Sequence, residues 1–331
     1  MKSQISTSKP QISFFKLPML LLFALSTMIF SCNTQDADII DNEGFQPSIV
    51  EVLESYGSES GSTVSKSVDS KVKKPTFKTL SVALAQTRLA GTVSSNMLTV
   101  FAPTDAAFAK YGLNQKNVSA FPGIVDILLY HVVAGKVFST DLSNSFVTTL
   151  NGAAVQVNLE SGVMINTSNV VIADVEARNG VIHAIDDILF PPTQDLVTLA
   201  SSFDPEFSVL LAAATKAGLA ETLMNDGPFT VFAPTNQAFI NFLEVADVDA
   251  AIAAVNGLPA EALAPILLYH VVSGRVYSSD LSSGPVTTLD GDFELDLATL
   301  TIDGNAQLIP SLLNVQATNG VIHVISEVLV P

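Results

Sequence analysis

Short apolar runs alternate with turn residues along most of this chain, and their spacing predicts a mixture of helices and strands. Phe77, Leu80 and Leu84 are three and four residues apart, which places them on one face of a helix. The apolar run Leu98–Phe101 is typical of a short buried strand. Residues 103–108 contain a strand-ending proline and then a Thr-Asp pair that can cap a following helix.

A different pattern follows, in which apolar residues alternate with polar ones between turns. Val147–Leu150 runs into Asn151-Gly152, and the Asn-Gly pair is the strongest short signal for a hairpin because both residues tolerate positive φ. Further strands are expected over residues 154–159, 163–165, 170–172 and 181–185. Short helices followed by a run of hairpins predict the α+β class.

The whole pattern occurs twice. Three blocks recur in the same order, at offsets of 131, 139 and 140 residues: Thr99–Phe108 and Thr230–Phe239, Leu128–Val133 and Leu267–Val272, and Asn179–His183 and Asn319–His323. A period this long exceeds that of solenoid repeats and suits two tandem domains. The jump of eight residues predicts an insertion in the alanine-rich stretch 245–263, as a longer helix or a loop.

These three blocks, repeated in order, resemble the fasciclin-domain family over roughly residues 75–331. The resemblance implies two tandem fasciclin-like domains, at 75–193 and 194–331. It also implies that each domain is α+β, with a cluster of short helices packed on a mixed β wedge.

The first 31 residues are typical of an export signal, because lysines are their only charged residues and Leu17–Phe30 is apolar but shorter than a membrane span. The run ends at Cys32, the single cysteine of the chain, where a bacterial lipoprotein carries its lipidated residue. The alternative is an ordinary cleaved signal with an incidental cysteine. Residues 32–74 are rich in polar and small residues after the apolar run, and they predict a flexible tether with a short helix around residues 50–53.

Lipidation of Cys32 would place the protein in the cell envelope as an outer-membrane lipoprotein. The acidic stretch after the cysteine, residues 33–43, resembles a surface-export tag, so a surface-exposed protein is expected. The alternative for this stretch is a solvated tether.

Composition narrows the function classes. Hydrophobic residues make up 48% of 331 residues and charged residues 14%, so the chain can bury real cores. The net charge of −17 argues against binding to nucleic acid, whose phosphates an acidic surface repels. One cysteine allows no disulfide within the chain, and stability must come from packing.

The four histidines all lie inside the repeated blocks, at positions 131, 183, 270 and 323. They could form a metal site or act as general bases, but apolar residues flank each of them and no metal-ligand spacing is present. We therefore predict structural histidines bonded to backbone carbonyls or tyrosine hydroxyls. The chain has no nucleophile elbow and no phosphate-binding glycine loop. No catalytic residue, metal or cofactor is predicted, and the protein is not expected to be an enzyme.

The family resemblance implies an extracellular adhesion or ligand-binding module. In animal members the Tyr-His block takes part in adhesion, which points here to Tyr130 and His131 and to Tyr269 and His270. A second animal adhesion element matches Asp174 in the first copy only. The expected partner is an extracellular protein or polysaccharide, with the membrane reached through Cys32. The alternative is an accessory glycan-binding protein of a polysaccharide-uptake system, although the chain has no tryptophan.

Overall fold

The computed structural model describes residues 46–56, 74–203 and 206–331. The expected export signal and Cys32 lie outside the described residues. Helices of the first domain are α1 (Ile49–Ser55), α2 (Lys78–Gln86), α3 (Ala90–Ser95), α4 (Asp105–Lys110) and α5 (Ile124–Tyr130). Its strands are β1 (Leu98–Pro103), β2 (Val132–Ala134), β3 (Ser145–Thr148), β4 (Ala154–Asn158), β5 (Met164–Ile165), β6 (Ser168–Ala177) and β7 (Gly180–Ile185).

The second domain repeats this order with one helix more after its central strand. Its helices are α6 (Leu196–Ser202), α7 (Ser208–Lys216), α8 (Ala220–Asn225), α9 (Asn236–Leu243), α10 (Val248–Gly257) and α11 (Ala260–Tyr269). Its strands are β8 (Phe229–Pro234), β9 (Val271–Ser273), β10 (Gly284–Thr288), β11 (Gly291–Asp296), β12 (Thr301–Ile302), β13 (Ala306–Gln307), β14 (Val315–Ala317) and β15 (Gly320–Ile325). The prediction of two tandem α+β domains is confirmed.

The three repeated blocks lie side by side at the centre of each domain. In the first domain the strand order is β2-β1-β7-β6-β5-β4-β3, and β1 runs parallel to β7 with Phe101 opposite His183. In the second domain β8 runs parallel to β15 with Phe232 opposite His323. The predicted hairpin at Asn151-Gly152 joins the antiparallel strands β3 and β4. The conserved order of the blocks therefore reflects neighbours in one sheet.

The alanine-rich insertion forms helix α10. In the first domain the corresponding connection is a single 3-10 turn, Val118–Ala120. Asp247 caps α10 by accepting the backbone N–H of Ala250 at 2.9 Å, and Ala251 and Val255 are buried against α7. Of the two forms expected for this stretch, the helix is the correct one.

Helix α1 corrects one predicted boundary. It lies inside residues 32–74, which were predicted to be a flexible tether, yet Ile49, Val52 and Leu53 are buried in the core of the first domain. The side chain of Asn179 accepts the backbone N–H of Ile49 at 2.9 Å and anchors the start of the helix. The first domain therefore begins before residue 75, because three apolar side chains are enough to hold a seven-residue helix against the sheet.

Thr104 and Asp105 have separate capping roles. Thr104 caps α4, since its hydroxyl oxygen accepts the N–H of Ala107 at 3.1 Å. The carboxylate of Asp105 instead accepts the N–H of Thr79 at 2.8 Å, at the first turn of α2. The prediction of α4 capping is confirmed for Thr104 and is wrong for Asp105, whose side chain turns toward the neighbouring helix.

The two cores differ at two positions that face the sheet. Leu53 on α1 and Leu84 on α2 are almost fully buried in the first domain. Counting from the equivalent N-caps, Ala200 on α6 and Ala214 on α7 occupy the same positions in the second domain. These two alanines line an apolar cavity of about 40 Å³ between α6, α7 and the sheet. The second domain therefore has a less well filled core than the first.

Within the described part of the chain, no single helix is long and apolar enough to span a membrane. Helices α10 and α11 meet the length and composition requirement only as a pair bent by 116°.

Candidate functional site

The first Tyr-His block lies at the end of α5, where the helix leaves carbonyl groups without partners. The Nδ1–H of His131 donates to the carbonyl oxygen of Ile127 at 2.7 Å, and its Nε2 accepts the backbone N–H of Leu189 at 3.0 Å. Burial lowers the pKa of His131 to about 4, although the hydrogen bond to Ile127 opposes this fall. The ring is therefore neutral and ties the end of the helix to the segment after β7.

The second block repeats these bonds at His270. Its Nδ1–H donates to the carbonyl oxygen of Ile266 at 2.7 Å, and its Nε2 accepts the N–H of Leu329 at 2.9 Å. Burial lowers its pKa to about 4 as well, against the opposing effect of the hydrogen bond to Ile266. Both nitrogens of each ring are occupied by the backbone, so neither ring offers a nitrogen to a substrate or a metal.

The other two histidines lie on β7 and β15. His183 donates from Nε2 to the carbonyl oxygen of Val137 at 2.9 Å, and His323 donates in the same way to Val276 at 2.8 Å. Burial lowers the pKa of both rings, while these hydrogen bonds oppose the change. The prediction of structural histidines bonded to backbone carbonyls is confirmed for all four.

Asp174 lies beside His183 in a left-handed backbone conformation with φ of 58°. Its carboxylate accepts the backbone N–H of Ser139 at 2.7 Å and also a short hydrogen bond from the Ser139 hydroxyl. Burial opposes ionisation, but the hydrogen bonds from Ser139 outweigh it and hold the pKa of Asp174 below its usual range. In the second domain Asn314 accepts the backbone N–H of Ser278 at 2.7 Å and donates from Nδ2 to the Ser278 hydroxyl at 2.7 Å, so this position is a loop clamp in both domains.

Tyr130 and Tyr269 are also buried, and both hydroxyls bond to the backbone of the adjacent hairpin. Tyr130 donates to the carbonyl oxygen of Ala154 at 2.7 Å, and Tyr269 donates to that of Asp292 at 2.8 Å. Burial raises the pKa of both phenols. A partner-binding role for the Tyr-His pairs and Asp174 stays a prediction; their side chains serve bonds within the domain in this structure.

The contact between the two domains was not predicted from the sequence, and Tyr130 lies directly beneath it. Ala154 on β4 is fully buried there, and its carbonyl oxygen accepts a second hydrogen bond, from Nε2 of Gln316 at 2.8 Å. The N–H of Ala154 donates to the hydroxyl oxygen of Tyr277 at 3.1 Å and to Oε1 of Gln316 at 3.0 Å. One residue of the first domain thus has both backbone groups bound by the second.

An aromatic pair completes this contact. The rings of Phe146 and Tyr277 stack with centroids 4.7 Å apart and planes 3° from parallel. The N–H of Phe146 donates to the hydroxyl of Ser279 at 3.4 Å. No motif marked these residues, because they lie outside the three repeated blocks and each is found in only one of the two copies.

An exposed aromatic cluster lies elsewhere on the first domain, where α4 ends and the segment after β7 begins. Tyr111 and Phe190 are 45% and 41% exposed and meet edge to face with centroids 5.1 Å apart. Phe121 packs behind Phe190 at 6.4 Å. Beside the rings, Nζ of Lys110 lies 3.2 Å from the carboxylate of Asp187. The cluster therefore presents apolar ring surface next to a charged donor and acceptor.

Metal-binding geometry is not seen in residues 46–56, 74–203 and 206–331, where no group of three or more His, Cys, Asp or Glu side chains is placed to hold an ion. The acidic stretch around Asp292 is part of β11, in which Phe293 and Leu295 are buried and the acidic residues between them are exposed. This alternation is that of a half-buried strand with one wet face.

Comparison with known proteins gives the same division of the chain. The family model of the fasciclin domain matches residues 75–191 and 205–331, which is more than half of the chain. Transforming growth factor-beta-induced protein ig-h3 of Oryctolagus cuniculus is 31% identical over 246 residues, which cover 70% of this chain and 34% of that protein. The chain thus spans about a third of the length of this relative.

A shorter relative matches one domain. Protein sll1483 of Synechocystis sp. is 40% identical over 128 residues, covering 38% of this chain and 67% of that protein. Among solved structures, a FAS1 domain pair from the insect cell adhesion molecule fasciclin I aligns with a TM-score of 0.34 at 20% identity. That alignment covers 77% of this chain and 96% of the insect chain.

Proposed function

The chain belongs to the fasciclin-domain family, and from this we propose that it is a lipid-anchored surface protein that binds an extracellular protein or polysaccharide. Fasciclin domains are found in cell-adhesion and extracellular proteins, and the family is adhesive or structural in character. The proposed anchor is a lipid on Cys32, with the two domains displayed outside the outer membrane.

The observation that carries this proposal is the internal use of the polar groups in the repeated blocks. All four histidines are buried, with neutral rings bonded to the backbone, and the Tyr-His tyrosines bond to neighbouring hairpins. These side chains therefore stabilise the fold. Binding therefore falls to the outer surface of the domains, where loops and exposed rings are carried on a rigid sheet.

Protease shaving of intact cells tests the anchor and the display together. The wild-type protein should be cut on intact cells, and Cys32→Ser should be released from the membrane fraction into the medium or periplasm. A Ser31→Ala variant, next to the cysteine but able to carry the lipid, is the matched control and should behave as wild type. Protection of the wild type from protease would contradict surface display, and membrane retention of Cys32→Ser would contradict the lipid anchor.

Adhesion itself is tested by attachment of cells to matrix-coated or host-cell surfaces. Deletion of the two domains with the anchor retained should reduce attachment, and complementation with the wild type should restore it. Unchanged attachment across a panel of protein and polysaccharide coatings would count against an adhesive role.

The second candidate, glycan binding for a polysaccharide-uptake system, is favoured by the exposed cluster of Tyr111 and Phe190. Sugar rings stack on aromatic faces, and the neighbouring Lys110 and Asp187 could donate to and accept from hydroxyl groups. On a glycan array, Tyr111→Ala with Phe190→Ala should abolish binding. Phe242→Ala, an exposed aromatic at the equivalent place in the second domain, is the control. Binding that survives the double variant would exclude this surface.

A further inference from the structure

The two domains meet through one face of each, and we propose that residues unique to these faces restrict the contact to this single pairing within the chain. This inference concerns the assembly of the molecule and goes beyond the proposed binding function. The docking face is defined as Tyr277, Ser279 and Gln316 of the second domain. The acceptor face is defined as Phe146 and Ala154 of the first domain.

Since the domains are copies, each has a surface equivalent to the docking face and a surface equivalent to the acceptor face. The contact within the chain uses one of each, so the docking face of the first domain and the acceptor face of the second domain have no partner in this contact. The repeated blocks place Phe138 and Glu176 of the first domain where the docking face has Tyr277 and Gln316. Tyr277 is 3% exposed under the first domain, whereas its counterpart Phe138 is half-buried and the side chain of Glu176 is 54% exposed. The first domain therefore has an uncovered docking face with altered chemistry.

The altered residues remove the bonds that make the contact. Phe138 has no hydroxyl to accept the N–H that Ala154 donates to Tyr277. Glu176 has no N–H to donate to the carbonyl oxygen of Ala154, as Gln316 does. Its carboxylate lies 3.0 Å from Nζ of Lys136, which also lies over the ring of Phe138 at 4.8 Å. This face is therefore occupied by its own ion pair.

The second domain has the corresponding uncovered acceptor face. The bond from Tyr269 to the carbonyl oxygen of Asp292 identifies Asp292 as the counterpart of Ala154, which receives the same bond from Tyr130. Asp292 is exposed, and Ala154 is fully buried in the contact. Pairing of β10 with β11 places Pro285 where Phe146 lies in the first domain.

These two replacements disfavour a second contact. Pro285 has neither the ring that stacks on Tyr277 nor the N–H that bonds to Ser279. Asp292 would place a carboxylate against the carboxylate of Glu176 if another copy of the chain docked there. Like charges brought together in a desolvated contact are strongly unfavourable.

The arrangement has a clear consequence for assembly. A contact between two different faces of neighbouring copies is heterologous. Such contacts form open chains of molecules unless the rotation between copies closes a ring. The pairing seen between the domains would propagate in this way if the two uncovered faces matched. The four altered residues allow the contact once, inside the chain, and leave the protein as a discrete two-domain unit.

The loss-of-contact experiment replaces two residues of the docking face by the residues that the first domain has at the equivalent positions. In the full-length mature chain, Tyr277→Phe with Gln316→Glu should separate the domains: calorimetry should show two unfolding transitions in place of one, and X-ray scattering a larger maximum dimension. Gln307→Glu, which makes the same charge change at an exposed position of β13 in the second domain, should leave both unchanged. A single transition with unchanged dimensions in the double variant would overturn the proposal.

The gain-of-contact experiment restores the matching residues on the uncovered faces. Phe138→Tyr, Glu176→Gln, Pro285→Phe and Asp292→Ala together should produce concentration-dependent association in analytical ultracentrifugation, at least about tenfold tighter than in the wild type. Circular dichroism checks that the variant is folded. A folded quadruple variant that sediments as the wild type does, or a wild type that already forms chains through these faces, would refute the once-only pairing.

Discussion

Replacing Ala200 by Leu should stabilise the second domain. The side chain of Ala200 lines the apolar cavity of about 40 Å³, and leucine occupies the equivalent position 53 in the first domain. Filling a cavity recovers about 24 cal/mol for each cubic ångström, so removing this one contributes on the order of 1 kcal/mol before any gain from the newly buried carbons. The local backbone already accepts leucine in the first domain.

The assay is urea or thermal unfolding of the full-length chain. A gain of about 1 kcal/mol corresponds to a rise of roughly 2–4 °C in the unfolding midpoint for a protein of this size. An unchanged denaturant slope would show that stability changed and the unfolded state did not.

A matched control lies one residue from the other cavity alanine. Ala213 is fully buried, does not line the cavity, and has an alanine, Ala83, as its counterpart in the first domain. Ala213→Leu should therefore destabilise by about 1–3 kcal/mol through overpacking. If Ala200→Leu lowers stability as Ala213→Leu does, the cavity is not free to accept the side chain and the comparison of the two cores is wrong.

Three further predictions concern pH, the loop clamp and a close backbone approach. His131 and His270 have pKa values of about 4 in the folded chain against about 6.5 in the unfolded chain. Each should therefore contribute on the order of 3 kcal/mol to the free energy of unfolding, in full above pH 6.5, and this contribution should be lost as the pH falls to 4. Urea midpoints that do not change between pH 7.5 and pH 5 would contradict this. Asp174→Asn should leave thermal stability nearly unchanged, since the second domain uses asparagine there, whereas Asp174→Ala should cost about 1–3 kcal/mol; equal losses in the two variants would contradict the clamp. Gly180→Ala should prevent folding of the first domain, because a Cβ would lie 1.8 Å from the carbonyl oxygen of Leu98; a soluble variant with native circular dichroism would refute it.

The helices and strands of the repeated blocks could be predicted because their signals are local. Apolar spacing indicated α2, the run at Leu98–Phe101 indicated β1, and Asn151-Gly152 indicated the hairpin of β3 and β4. Helix α1 was indicated only as a short helix, and its place in the core was missed. Its three buried side chains are separated from the rest of the domain by polar residues that resemble a linker.

The candidate site also has features that the sequence could predict and features that it could not. Apolar neighbours indicated that the histidines would be structural, and their backbone bonds bear this out. The hydrogen-bond partners themselves, such as Leu189 for His131, come from the far end of the domain, and no local pattern could name them. The exposed cluster of Tyr111 and Phe190 likewise joins residues 79 positions apart.

Repetition and local patterning in the chain were enough to establish the family, the two α+β domains and the structural character of the histidines. The tertiary structure alone decided where the first domain begins, which alanines leave a cavity and how the domains join. Periodicity and turn chemistry act over a few residues, so a single sequence displays them directly. The contact of Ala154 with Tyr277 and Gln316 depends on three separate strands and loops brought together by folding, and it is visible only once both domains have their shape.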